Sequence, residues 1–125
     1  MFIEDIKRIT KENSNFRSVV HTGVYSQIVV MNIPIGGEIG EEIHKKIDQL
    51  LFIVKGRGMA FLEKEKKAVV EHDVVFVHAG TKHNLINIGE EDLKLFTVYS
   101  PPGHPKGTVH KTKEEAENEE AKYEL

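Results

Sequence analysis

Apolar residues, many of them β-branched, gather along most of the chain in short strand-like runs that end at turn signals. Residues 17–22 (RSVVHT) stop at Gly23, and residues 26–35 (SQIVVMNIPI) stop at Gly36 and Gly37. Residues 49–55 (QLLFIVK) end before Gly56 and Gly58, and residues 59–62 lead into the mixed-charge run 63–67 (EKEKK). That run reads as a solvated turn. Short strands follow at 68–70 and 73–77, around Glu71 and His72, and at 85–88 before a turn at 89–92. Residues 93–100 (LKLFTVYS) close the series before Pro101 and Pro102. β-branched runs separated by Gly, Pro and charged turns predict an all-β sandwich or barrel. The ends differ. Phe2, Ile3, Ile6 and Ile9 recur at helical spacing, and residues 113–123 are dominated by Glu, Lys and Ala. The expected organisation is a lead-in over 1–15, a barrel with an extended arm over 16–110, and a charged, helical, solvent-facing tail over 111–125.

Composition narrows the function. A chain of 125 residues makes one domain, with enough core to fold without staples. Cysteine is absent, which excludes disulfides and thiolate metal sites, so a metal must be held by His, carboxylate or amide oxygen. The formal net charge is -3 and no basic stripe occurs, which argues against a nucleic-acid partner. No segment is apolar for long enough to span a bilayer, and residues 1–10 lack the apolar run of a signal peptide. A cytoplasmic protein is expected.

The middle of the chain resembles the cupin superfamily, in particular its small single-domain members with the type-2 conserved barrel. The first cupin motif reads Gly, five residues, His, one, His, four, Glu, six, Gly. Here its frame is Gly36, Glu42, His44, Gln49 and Gly56, with Glu42 in place of the first His and Gln49 in place of the Glu. The second motif reads Gly, five residues, Pro, one, Gly, two, His, three, Asn. Here it is His72, His78, Gly80, His83 and Asn87, with His72 for the Gly and His78 for the Pro. The resemblance implies a small double-stranded β-helix, or jelly-roll, barrel with short terminal helical segments. It also implies one divalent transition metal (Fe, Mn or Zn, with Ni or Co as further options) held by Glu42, His44, Gln49 and His83.

The residues support that site in their own right. Glu42 and His44 are two apart, so on a strand both point to one face. Residues 45–48 can turn the chain so that Gln49, Leu51 and Ile53 share the inward face of the next strand, while Leu50, Phe52 and Val54 face outward or into a second layer. His83 arrives from a distant strand after a corner at Gly80, where unusual backbone torsions are expected. Two imidazoles and one carboxylate, with positions left open, match the ligand logic of non-haem iron sites, and zinc and manganese accept the same donors. Type I phosphomannose isomerases are similar in ligand composition, with Gln and Glu exchanged.

His72 and His78 read as structural or exposed. His104 and His110 read as part of an ordered surface arm, kept extended by Pro101, Pro102 and Pro105. Two function classes stay open. One is a metalloenzyme, oxygenase-type or sugar-isomerase-like, acting on a small polar metabolite. The other is a non-catalytic module for a metal or small ligand. Sugar-phosphate chemistry wants a basic clamp, and neither Arg57 nor Lys82 is clearly inward. Apolar residues on both faces of the strands predict a homodimer.

Overall fold

The computed structural model describes residues 1–123. In chain order the elements are α1 (Ile6–Glu12), β1 (Arg17–Thr22), β2 (Gln27–Ile33), β3 (Asp48–Lys55), β4 (Gly58–Leu62), β5 (Glu65–Val69), β6 (Val74–Val77), β7 (His83–Asn87), β8 (Leu93–Ser100), β9 (Val109–His110) and α2 (Lys113–Tyr123). The all-β expectation holds, with a short helix at each end. Asp5 starts α1 by accepting a hydrogen bond from the Arg8 backbone N–H at 3.1 Å, which satisfies one of the donors orphaned at a helix start. Among the described residues, no helix is long and apolar enough to cross a membrane.

The strands form two antiparallel sheets, ordered β6-β3-β8-β2-β1-β9 and β5-β4-β7. Residues 38–42 extend the smaller sheet beyond β7 through single bridges, Glu38 to Ile86 and Glu42 to His83. The sheets face each other as a jelly roll, and period-two alternation fills the space between them. Val29, Thr97 and Leu51 lie side by side in register on β2, β8 and β3, and Met31, Leu95 and Ile53 form the next row. All six are buried. Truncating one of these aliphatic side chains to Ala would cost about 2–5 kcal/mol.

Each sheet has two lateral edges, so the barrel has two seams. At one, β1 and β9 face the 38–42 segment, and α2 bridges the gap. Ala116 of α2 is buried in the core, and the Lys113 side chain runs beside Gly40. Glu119 of α2 pairs with the buried His110 of β9. At the other seam, β5 faces β6 with no ladder between them among the described residues.

Three local readings change. The run at 63–67 is not all turn, because β5 begins at Glu65 and only residues 63–64 make the bend. An edge strand exposed to water tolerates charges that a central strand would reject. β7 starts at His83, two residues before the β-branched run suggests, because His83 pairs with both Leu62 and Glu42. Residues 42–44 are not a regular strand; only Glu42 is bridged.

Candidate metal centre

Glu42, His44 and His83 lie together at one end of the barrel, and Gln49 stands on β3 in register with Tyr99, whose ring meets His44 at 6.0 Å. Gln49 is the second residue of β3, and His83 is the first of β7. Glu42 and His83 exchange two backbone hydrogen bonds of 2.9 Å, which sets their side chains next to each other on one face. His44 follows two residues later, and its carbonyl accepts from the Gly80 N–H at 2.8 Å. Gly80 has φ +87, so the corner before His83 does need the left-handed region. The motif glycine at position 56 has φ +97, and a Cβ there would lie 2.9 Å from the Asp92 carbonyl.

The donor atoms are oriented by a second layer of contacts. The His83 Nδ1–H donates to the Thr81 carbonyl at 2.8 Å, which leaves Nε2 with its lone pair. The Gln49 Nε2 donates to the Thr97 hydroxyl at 3.0 Å, and its Oε1 is buried with no hydrogen-bond partner. His44 Nε2 lies 3.3 Å from a Glu42 carboxylate oxygen, a contact that helps hold the Glu42 carboxyl down, and it too is buried without a well-formed hydrogen bond. The His44 and His83 ring centroids are 5.3 Å apart. Among the described residues, no three His, Cys, Asp or Glu side chains stand in the geometry of an assembled metal site. That holds for Glu42, His44 and His83 as they stand, so the fit to a cation rests on donor chemistry alone: His44 Nε2 and Gln49 Oε1 are buried without hydrogen bonds.

Electrostatics favour an ionised Glu42. Burial pushes its carboxyl upward, but His44, Arg17 and His83 outweigh that and hold it below the ordinary value. Burial pushes His83 down, against the opposing pull of the Thr81 carbonyl and Glu42, so it stays a neutral ligand type.

The surroundings contain polar residues that the sequence pattern did not flag. Gln27 is buried on the inner face of β2, in register with Tyr99, which is in turn in register with Gln49. The Gln27 Oε1 accepts from the Gly103 and His104 N–H groups at 3.2 and 3.1 Å, and its Nε2 donates to the His104 carbonyl at 2.7 Å. The arm after β8 is therefore tied down onto the barrel mouth. His104 and His110 are buried, at 8% and 3% exposure, which corrects the reading of both as surface-arm residues. His104 meets Tyr99 edge-on at 5.0 Å, and Tyr99 meets His44 at 6.0 Å. Arg17 is buried too, on the inner face of β1 opposite Met31. A strict period-two reading of β1 and β2, with Arg17 beside Val19 and Gln27 beside Val29, is the signal that finds Arg17 and Gln27. His72 and His78 are exposed as expected, and so are Arg57 and Lys82. Asn87 is structural: its Nδ2 donates to the Ile33 and Glu91 carbonyls at 2.9 Å.

Comparison with known proteins agrees with this architecture. The chain is 44% identical over 121 residues to the uncharacterized protein YrkC of Bacillus subtilis, a match covering 92% of this chain and 65% of YrkC, so it spans about two thirds of that relative's length. It is 34% identical over 113 residues to the uncharacterized protein L612 of Acanthamoeba polyphaga mimivirus, covering 87% of this chain and 71% of the other. The crystal structure of BH2720 from Bacillus halodurans superposes with a TM-score of 0.93 at 38% identity, covering 94% of this chain and 93% of that one. The family pattern described as the cupin domain matches residues 29–99, which takes in both motifs and the inner rows of β2, β3 and β8. The chain belongs to the cupin family.

Proposed function

We propose that this cupin binds one divalent transition metal ion through Glu42, His44, Gln49 and His83 and offers it to a small polar ligand at the barrel mouth. The observation that carries this reading is the pair of buried, unsatisfied atoms, His44 Nε2 and Gln49 Oε1, beside the free Nε2 of His83. Buried polar atoms without partners are costly, and a cation would satisfy both at once. A bound metal would supply Lewis acidity, with positions left open for ligand oxygen. The chain contributes a single carboxylate charge, so the centre would keep net positive charge and favour an anionic or enolate-like oxygen donor. Thr81 and Thr97 orient His83 and Gln49, and the arm from Gly103 to His104 limits water at the mouth.

As a metalloenzyme, the chain fits either an oxygenase-type or an isomerase-like reading: Arg57 and Lys82 are exposed, but buried Arg17 brings a positive charge close enough to act on Glu42. The alternative is a non-catalytic module for a metal or small ligand. We further propose a homodimer through the outer face of the larger sheet. Elemental analysis of protein purified without added metal, with zinc titration of stripped protein, tests the metal. Absence of binding in both overturns it.

A further inference from the structure

The open seam between β5 and β6 holds a groove of about 530 Å³, within the range of small-molecule sites. Its floor is apolar, made by Ala60 and Leu62 of β4, Val69 of β5 and Val75 of β6, and its rim includes Val74 and Phe76 of β6, which also belong to the proposed dimer face. Glu65 and Lys67 stand in register with Leu62 and Ala60, so these charged residues point to the inner side of an edge strand. Lys66 joins the lining, and the two lysines outnumber the one glutamate. Neither lysine has an ion-pair partner among the described residues. Such charges oppose the addition of another β-strand at the edge, which leaves a small molecule as the fitting occupant. Leu62 also ties the groove to the candidate metal centre. It is the cross-strand partner of His83, and it lines both the groove and a small void against His83.

We propose that this seam binds a small amphipathic anion, with its apolar body on Ala60, Leu62, Val69 and Val75 and its charge at Lys67, and that occupancy is felt at His83 through Leu62. The site goes beyond the metal reading and does not depend on it.

The test titrates octanoate into the full chain, stripped of metal, by calorimetry, with octylammonium as the charge control. The His83 imidazole resonance is followed by NMR in the same protein. One octanoate should bind per chain, at least tenfold tighter than octylammonium, and should shift the His83 signal. Lys67→Glu, an exposed change that spares the core, should weaken octanoate by tenfold or more. Ala60→Phe should fill the floor and abolish both binding and the His83 shift; if that variant fails to fold, Lys67→Glu decides alone. Equal binding of octylammonium, an unaltered Lys67→Glu variant, an unmoved His83 signal, or octanoate that acts only by splitting a dimer would each overturn the proposal. Zinc titration is scored separately, so failure of the metal reading leaves this result standing.

Discussion

Gln49 Nε2 donates to the Thr97 hydroxyl across the β3–β8 ladder at 3.0 Å, and Gln49 Oε1 is left buried without a hydrogen bond. With Nε2 committed, Oε1 is the atom left for a cation. Thr97→Val keeps the shape and removes the anchor. It should weaken zinc affinity about tenfold, the low end of what second-layer partners contribute. Gln49→Ala should weaken it similarly, while His44→Ala and His83→Ala should abolish it, because imidazole is the stronger ligand. Titration of stripped protein with zinc checks the order. Loss of metal on Gln49→Ala with retention on His83→Ala would reverse the assignment.

Glu42 is the only charged member of the set. Glu42→Ala should weaken metal binding, whereas Glu42→His, which restores the commoner cupin residue, should retain the metal and raise the site charge by one. Metal content of both variants, with activity against a panel of small diketones, hydroxy acids and sugars, checks this. An Ala variant with unchanged affinity and activity would show Glu42 to be a surface charge.

His104 makes stability depend on pH. Burial, then the positive charge of Arg17, pushes its imidazole down to about 3 from an ordinary 6.5. Above 6.5 both folded and unfolded chains hold it neutral. As pH falls from there to about 3, the unfolded chain takes up the proton first, so stability drops by up to about 1.4 kcal/mol per pH unit from this group. Urea unfolding of metal-free protein across that range should show the slope, and His104→Asn should reduce it.

The outer face of the larger sheet should dimerise. Phe52 and Phe96 stack there at 5.0 Å, and Val74 and Phe76 are 54% and 46% exposed. Light scattering at micromolar concentration should give twice the chain mass, and Phe76→Asp should give a monomer. A wild-type monomer mass would count against the interface.

Much of the barrel was legible because its inner rows obey the simplest rule, alternation. Gln49, Leu51 and Ile53 point inward as that rule requires. It failed where burial has a non-local cause. The Pro-rich arm has no periodicity, and His104 is buried because Gln27, 77 residues away in sequence, holds its backbone. It also failed at Glu65 and Lys67, whose charges read as a turn although water on an edge strand accepts them. The frame of the candidate site was legible from spacing. The orienting partners Thr81 and Thr97 were not, since neither is marked by any motif position.

The unbridged seam also has a consequence for motion. The two sheets can part between β5 and β6 without breaking a ladder, while α2 ties the far side with Ala116 and the His110–Glu119 pair. The barrel then breathes like a book whose spine lies along α2. Amides on the free edges of β5 and β6 should exchange with deuterium ahead of those in β2 and β8. His83 and its bridged neighbour Glu42 travel together on the smaller sheet, and Gln49 rides on the larger one. Each opening would carry Gln49 away from Glu42 and His83, and a bound ion would trade that donor for solvent without leaving the barrel.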